Sequence, residues 1–246
     1  MARAEIGPPE RMNTRRDFLA ALGAAGAVAS LGAQETASRD VATGQHKLKL
    51  AEGDRDGLYY IPAKYQAGVR APLWVVLHGA GGTAQSTQYM FALADDFGVI
   101  LLAPDSRDER TWDGVLMNWG PDVEFIAAAV GHVSHVCSVN RDRVTVAGFS
   151  DGATYALSLG ISYGDVFRKV FAGAPGVMQP IEANGKPPIF LAHGRQDPTM
   201  PIDETSRKFL PKLKALEYDV TYREYEGRHT LPPEILREVF EWLTRK

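Results

Sequence analysis

A second cysteine and an excess of positive charge are both missing from this chain of 246 residues. Cys137 is the single cysteine, so no intramolecular disulfide can form and stability must come from a buried core. The formal net charge of −3 leaves no basic excess to neutralise phosphates, which argues against a nucleic acid or an anionic membrane surface as a partner. Internal repeats and low-complexity segments are lacking as well. The composition, 45% hydrophobic and 23% charged, is that of an ordinary soluble globular protein, and the length is enough for one large α/β domain or for two small ones.

The N-terminus has the composition of an export signal. Arg15 and Arg16 precede residues 18–33, which carry no charge and consist mostly of Ala, Gly and Leu. That stretch is too short for a membrane span and its side chains are too small. It has no polar face either, which argues against an amphipathic helix of the folded domain. Residues 1–33 are therefore predicted to be a leader that is removed.

The leader also carries a resemblance. The segment TRRDFL at 14–19 resembles the twin-arginine signal, which implies passage of the folded protein through the twin-arginine export machinery to the periplasm or beyond. Cleavage is expected near Ala33. Residues 34–246 are predicted to form a single domain with no stable membrane insertion, whether translation starts at Met1 or at Met12.

Apolar strands alternate with amphipathic helices along the rest of the chain. Strands are predicted at 46–50, 57–65, 72–79, 99–104, 143–147, 169–175, 187–194 and 220–227, the first two of them antiparallel. Helices are predicted at 86–98, 121–137, 153–159, 203–217 and 232–246. This alternation is typical of a mostly parallel sheet with helices on both faces and functional loops at the carboxyl ends of the strands. Pro211 is expected to kink or split the helix at 203–217.

A serine lies between two glycines where the strand at 143–147 gives way to a helix. The segment GFSDG at 148–152 fits the G-x-S-x-G pattern, which has meaning only in a strand–turn–helix context. Such a tight turn tolerates only small neighbours, here Gly148 and Gly152, and lifts the Ser150 hydroxyl above the sheet edge, at a helix N-terminus that stabilises negative charge. By themselves, these five residues are equally compatible with a glycine-rich turn that carries an incidental serine.

Two later strands end in loops that could activate Ser150. A serine is a weak nucleophile that needs a base within hydrogen-bond reach and a third group to orient that base. Asp197 follows the strand at 187–194, and His229 follows the strand at 220–227. Each is by itself compatible with a surface loop, but the order Ser, Asp, His is that of the α/β-hydrolases. The three residues are predicted to form a catalytic triad.

Acyl transfer at a serine also requires N–H donors for the oxyanion that develops. One candidate is the backbone N–H of Asp151, directly after Ser150. The loop after the strand at 72–79 reads HGAGG, and its glycines would let the backbone approach a substrate. The second donor is expected at Ala80, with Gly81 as the alternative. A phosphate-binding loop is less compatible with this segment, because no lysine follows and the G-x-G-x-x-G spacing is missing.

Four segments together carry a family resemblance. LHGAGG, GFSDGA, HGRQDPTMPI and GRHTLPPEI resemble segments of the small bacterial serine carboxylesterases of the α/β-hydrolase superfamily, in the phospholipase/carboxylesterase or polyhydroxyalkanoate-depolymerase-like branch. The resemblance covers residues 70–246. It implies the α/β-hydrolase fold and an acyl-enzyme on Ser150, with His229 as base and then acid and with neither a metal nor a cofactor. The carboxylate of Asp151 departs from the family pattern, in which a neutral residue is common at this position.

The sequence gives weaker indications of the substrate than of the catalytic residues. No insertion long enough for a lid domain separates the strands, which favours small or soluble esters. Trp119, Met117 and Met178 follow strands and are candidates for the substrate pocket, although local packing explains them equally well. An acyltransferase or a peptidase could use the same triad, and a non-catalytic binding protein could use the same scaffold.

Several histidines outside the triad are expected to be structural. His132 and His135 lie on one face of a predicted helix and could share a metal, but no carboxylate or cysteine lies at a complementary spacing. A solvent-facing helix surface is therefore expected there. His78 and His193 each precede a glycine at a strand end, where a structural position is predicted.

Overall fold

In the computed structural model, which describes residues 41–116 and 119–245, eight strands form one mixed sheet. The strands are β1 (Gly44–Lys47), β2 (Gly57–Ile61), β3 (Ala71–Leu77), β4 (Ile100–Pro104), β5 (Val139–Phe149), β6 (Lys169–Gly173), β7 (Ile189–Gly194) and β8 (Val220–Tyr225). Their order across the sheet is β1-β2-β4-β3-β5-β6-β7-β8. β2 pairs antiparallel with β1 and β4, and all other neighbours are parallel, so the predicted sheet is confirmed. The predicted leader, residues 1–33, lies outside the described residues.

Helices cover both faces of this sheet. They are a 3-10 segment (Ala84–Met90), α1 (Phe91–Phe97), α2 (Pro121–Val136), α3 (Asp151–Ser162), α4 (Ser206–Ala215) and α5 (Pro233–Thr244). One apolar core lies between the sheet and α2, α3 and α4, and a second lies between the opposite face and α1 and α5. The predicted two-faced arrangement is confirmed. Within the described part of the chain, no helix is both long and apolar enough to cross a membrane.

The sequence explains where several elements begin and end. β4 and β7 are buried at every residue, which matches their unbroken apolar sequence and their place inside a sheet that is covered twice. α1 ends at Phe97 because the next residue, Gly98, has a left-handed φ of 66°, which favours glycine as a C-cap. α2 begins at Pro121, where a missing N–H does no harm because the first turn has no acceptor for it.

The helix around Pro211 differs from the prediction. α4 runs from Ser206 to Ala215 without a break, and Pro211 lies inside it. Proline lacks the N–H that would bond the carbonyl four residues earlier, here that of Arg207. Both residues are exposed, so water can bond the freed carbonyl. Of the two predicted effects of Pro211, the split is therefore excluded and the kink stays a prediction.

The single cysteine lies inside the first core. Cys137 directly follows α2 and packs in the same cluster as Ile126, Val130 and Val133. Its residue is 5% exposed, and burial raises the pKa of the thiol to about 11. Cys137 therefore serves as a small buried hydrophobe.

Candidate active site

β5 and α3 meet in a tight turn at Ser150. Ser150 has φ 59° and ψ −125°, a backbone conformation that costs a non-glycine residue about 1–3 kcal/mol. The turn leaves no room for flanking side chains. A Cβ at Gly148 would collide with the carbonyl oxygen of Gly152, and a Cβ at Gly152 would collide with the carbonyl oxygen of Leu77 on β3. The predicted tight turn between two small residues is confirmed.

Replacing Gly148 with alanine is expected to lower the free energy of unfolding by about 4 kcal/mol or more. The added methyl group meets main-chain atoms of Gly152 and Ala153, which cannot move away without displacing the start of α3. Chemical denaturation of the purified variant and of the parent measures the difference.

Gly79→Ala is the matched control for this prediction. A Cβ at Gly79 would have its nearest neighbours at 3.6 and 3.7 Å, an ordinary contact. Its free energy of unfolding should change by less than about 1 kcal/mol. If Gly148→Ala were as stable as this control, the steric account of the turn would be wrong.

The loops after β7 and β8 bring an aspartate and a histidine to Ser150. The Nε2 atom of His229 lies 2.8 Å from Ser150 Oγ, and its Nδ1 atom lies 2.6 Å from Asp197 Oδ2. The side chain of His229 is 19% exposed, whereas that of Asp197 is fully buried. The structure therefore places the three residues of the predicted triad in one hydrogen-bonded chain that is open to solvent only near the serine and the histidine.

Asp197 is held in place by its own loop. Its Oδ1 atom accepts the backbone N–H groups of Thr199 at 2.8 Å and Met200 at 2.9 Å. Burial acts to raise the pKa of Asp197, but these N–H groups and the His229 ring together hold that pKa below its ordinary value. The carboxylate is thus ionised and leaves only Oδ2 for His229.

Backbone hydrogen bonds join the loop of Asp197 to the loop of His229. The Arg195 N–H donates to the carbonyl of Tyr225 at 2.9 Å, and the Gln196 N–H donates to the carbonyl of Gly227 at 3.0 Å. The Tyr225 hydroxyl donates in turn to the carbonyl of Thr230. Because these bonds continue the pairing of β7 with β8, they fix the distance between the two side chains.

His193 supports the same loop from below. Its Nε2 atom donates to the carbonyl of Met200 at 2.8 Å, and its Nδ1 atom accepts the hydroxyl of Ser206 at 2.7 Å. Nε2 also lies 3.3 Å from Asp197 Oδ2. Burial lowers the pKa of His193, which keeps the ring neutral. The predicted structural position of His193 is confirmed.

The candidate oxyanion donors differ in whether their backbone N–H groups already donate a hydrogen bond. The Gly81 N–H donates to the carbonyl of Arg110 at 2.7 Å, whereas the N–H groups of Ala80 and Asp151 have no acceptor among the described residues. The Asp151 carboxylate accepts the hydroxyl of Thr111 at 2.6 Å, so it is held by the segment after β4. Ala80 and Asp151 are therefore the better candidates, and the alternative Gly81 is already bonded.

Comparison with known proteins shows to which family the chain belongs. Residues 123–245, half of the chain, match the family model described as Phospholipase/Carboxylesterase. The chain belongs to the phospholipase/carboxylesterase family. The match contains Ser150, Asp197 and His229, although not the loop of Ala80.

Individual relatives cover less of the chain. "Putative esterase NocK" of Nocardia uniformis subsp. tsuyamanensis is 30% identical over 154 residues, 55% of this chain and 42% of that protein. "Acyl-protein thioesterase 1" of Gibberella zeae is 31% identical over 118 residues, 43% of this chain and 48% of that protein. The alignments thus span less than half the length of either relative.

A solved structure shows the fold. The crystal structure of esterase PE8 aligns with a TM-score of 0.63 and 21% identity, covering 78% of this chain and 98% of that chain. An identity this low is informative about the fold alone. The predicted α/β-hydrolase fold is confirmed.

In this member of the phospholipase/carboxylesterase family, a buried histidine braces the loop that carries Ala80. His78 Nδ1 donates to the carbonyl of Gly79 at 2.8 Å, and Nε2 accepts the Ser106 N–H at 3.1 Å. Burial lowers the pKa of His78, so the ring is neutral and can fill both roles. Arg55 donates to the carbonyl of Ser106 and completes the group. The predicted structural position of His78 is confirmed, whereas the sequence carried no signal for Arg55.

Two buried carboxylates brace the segment between β4 and α2, which the sequence analysis missed. Asp113 accepts the Asp122 N–H at 2.8 Å, and Asp122 accepts the Asp113 N–H at 2.7 Å. Further donors are the Tyr155 hydroxyl and the Gly120 N–H to Asp113, and the Arg107 N–H to Asp122. Burial, followed by the negative charge of Asp113, raises the pKa of Asp122 to about 6. The segment between β4 and α2 is therefore held by a buried carboxyl group whose pKa lies well above that of an ordinary aspartate.

Asp122 is expected to make stability fall as the pH rises from about 4 to about 6. Its ordinary pKa is 3.8, so across this window the folded state binds more protons than the unfolded state. The lost free energy of unfolding is about 3 kcal/mol. Asp122→Asn removes this titrating carboxyl group. The difference in free energy of unfolding between parent and variant should therefore change by about 3 kcal/mol between pH 4 and pH 7. Denaturant unfolding at several pH values measures it.

Asp142→Asn serves as the control for this titration, because the Asp142 side chain is 86% exposed. Its curve of stability against pH should run parallel to that of the parent. A parallel curve for Asp122→Asn as well would overturn the assignment of a raised pKa.

Two of the three residues predicted to line a substrate pocket pack against other side chains, and the third is not described. Trp119 stacks on the buried Tyr155, with ring centroids 4.7 Å apart, and Met178 packs on the first core. Met117 lies outside the described residues. A cavity beside Ser150 is lined instead by residues such as Tyr89 and Leu231, which no pattern in the sequence connects to the serine.

The His, Cys, Asp and Glu side chains that the structure describes are too dispersed to form a metal site. Among the residues that the structure describes, no group of three or more His, Cys, Asp or Glu side chains could hold a metal ion. His135 is exposed, as predicted. His132 is half-buried, with its ring edge against Tyr59 at 6.1 Å between centroids, so only part of this helix surface faces solvent.

Proposed function

We propose that this protein is a serine esterase that hydrolyses carboxylic esters through an acyl-enzyme on Ser150. The observation that carries the proposal is the position of His229, whose two ring nitrogens lie within hydrogen-bond reach of Ser150 Oγ and Asp197 Oδ2 at 2.8 and 2.6 Å. Membership of the phospholipase/carboxylesterase family supports ester chemistry. The names of the relatives, an esterase and a thioesterase, support transfer of an acyl group to water.

In the first half of the reaction, His229 Nε2 takes the proton of Ser150 as Oγ bonds to the ester carbonyl carbon. The N–H groups of Asp151 and Ala80 stabilise the oxyanion. When the tetrahedral intermediate collapses, the carbon–oxygen bond to the alcohol breaks, and His229 gives its proton to the departing oxygen. A water molecule then repeats the sequence on the acyl-enzyme and releases the carboxylic acid and free Ser150.

The geometry also supports a role for Asp197. Its ionised carboxylate accepts the Nδ1 proton of His229, so Nε2 is left as the proton acceptor that Ser150 needs. The charge stabilises the imidazolium that forms during attack. His229 is therefore the base and then the acid, and Asp197 orients it.

The proposal extends to location and substrate. The TRRDFL segment at 14–19 supports export through the twin-arginine machinery to the periplasm or beyond. Changing both Arg15 and Arg16 to lysine in the full-length chain, followed by cell fractionation, tests export, and an unchanged distribution would contradict it. The absence of a lid-sized insertion between the strands at 100–225 supports small or soluble esters.

Covalent labelling tests the esterase proposal. A fluorophosphonate probe should modify the folded protein with a stoichiometry of about one, and peptide mass spectrometry should place the label on Ser150. Rapid mixing with p-nitrophenyl acetate should release p-nitrophenol that depends on the unlabelled serine. No label, or a label elsewhere, would favour a non-catalytic scaffold. Release only in the presence of an added alcohol would favour an acyltransferase, and faster cleavage of an anilide would favour a peptidase.

A further inference from the structure

A cavity of about 170 Å³ lies beside Ser150, on the face of the sheet that α1 and α5 cover. Its floor is made of sheet side chains, Val76, Ala147 and Phe171. Leu231, two residues after His229, and Tyr89 of the 3-10 segment also line it. We refer to it as the side cavity.

The lining of the side cavity is mostly apolar. Ser86 and Thr87 belong to the lining, but their hydroxyls donate to the carbonyls of Thr83 and Ala84. The ring nitrogens of His78 are also occupied, by Gly79 and Ser106. A polar ligand would therefore find few free partners there, whereas an apolar group would lose only its contact with water.

The side cavity adjoins the triad through residues that neighbour Ser150 and His229. Gly79 lines it, and a Cβ at that glycine would lie 3.6 Å from Ser150 Cβ. Phe149 lines it as well, and its ring lies 4.9 Å from the ring of His229, measured between centroids. A group bonded to a carbonyl on Ser150 would thus lie next to residues that line the side cavity.

We propose that the side cavity binds the acyl group of the ester and selects acyl groups of about six or seven carbon atoms, such as hexanoyl or benzoyl. This inference rests on the proposed esterase function. The size follows from volume, because a cavity of about 150 Å³ accommodates benzene. Longer chains meet the floor of Val76, Ala147 and Phe171, whose side chains are buried in the sheet.

Because the sheet closes the side cavity at its floor, the cavity suits the acyl group of the ester better than the alcohol. The alcohol must leave for water before the acyl-enzyme can be hydrolysed, and a pocket that ends at the sheet offers it no exit. The acyl group stays on Ser150 through both halves of the reaction. An apolar pocket whose floor is the buried sheet therefore suits the part of the substrate that is retained.

Chain-length selectivity is the measurement that tests this assignment. With p-nitrophenyl esters from acetate to decanoate, kcat/KM should rise about fourfold per added methylene up to hexanoate and then fall. Leu231→Trp should lower the ratio of kcat/KM for hexanoate to that for acetate at least tenfold. Ser86→Phe narrows the same space from the 3-10 segment and should act in the same direction. Because Ser86 does not lie on the His229 loop, this second variant shows whether the effect of Leu231→Trp comes from the filled cavity or from a displaced loop.

Leu216→Trp is the matched control, since Leu216 is 56% exposed at the end of α4, against the opposite face of the sheet. It should leave the whole profile unchanged. Ethyl hexanoate and hexyl acetate then separate acyl from alcohol, and the hexanoate should react faster.

The possible failures can be told apart. A profile that neither Leu231→Trp nor Ser86→Phe alters, or a preference that follows the alcohol, overturns the side-cavity inference if Ser150 is still labelled by the probe. The esterase proposal would stand in that case. No label and no turnover of any ester overturns the esterase proposal, and the side-cavity inference with it.

Discussion

Replacing Ser150 with alanine is expected to lower kcat for p-nitrophenyl esters about a millionfold, to the limit of detection. The change removes the atom that bonds to the carbonyl carbon, and no other hydroxyl takes its place within reach of His229 Nε2 among the described residues. Initial rates at saturating ester, together with probe labelling of the same preparation, measure the loss.

Ser134→Ala is the matched control, because Ser134 lies on α2 and the substitution is chemically the same. Its kcat should equal that of the parent. The fold of Ser150→Ala should persist, since alanine at this position removes the hydroxyl and no buried apolar contact. If Ser150→Ala kept more than about one hundredth of the parental kcat, Ser150 would not be the nucleophile.

Replacing Asp197 with asparagine is expected to lower kcat about ten-thousandfold while leaving the geometry intact. Thr199 and Met200 donate N–H groups to Oδ1, so the asparagine oxygen keeps that place and its NH2 group faces His229. His229 Nδ1 must then accept a hydrogen bond, which moves the ring proton to Nε2. In that tautomer, His229 cannot take the proton of Ser150.

Two readouts separate this tautomer effect from simple unfolding. Nitrogen NMR of labelled His229 should show the proton on Nε2 in Asp197→Asn and on Nδ1 in the parent. Asp203→Asn is the control, because the Asp203 side chain is 77% exposed and pairs with Arg207 at the surface. An Asp197→Asn enzyme with more than about a tenth of the parental kcat would contradict the orienting role.

The sequence was sufficient for the fold because the relevant signals are local. Unbroken apolar runs such as β4 and β7 can be stable only inside a sheet covered on both faces, and glycine at 98 or proline at 121 marks a helix end through its own backbone. Whether Pro211 splits its helix is not decided by a local signal. The cost of an interior proline depends on whether the freed carbonyl reaches water, which the surroundings of α4 decide.

By itself, the sequence determined the sheet, the tight turn at Ser150, and which strand ends carry Asp197 and His229. It could do so because a strained turn needs glycine neighbours at 148 and 152, and because parallel strands bring their carboxyl ends to one edge. Only the tertiary structure decided that the Gly81 N–H is already bonded, that Asp113 and Asp122 face each other, and that Tyr89 and Leu231 enclose the side cavity. These contacts join segments that are distant along the chain. Their distances are set by how helices and loops pack on the sheet, which no local pattern of residues encodes.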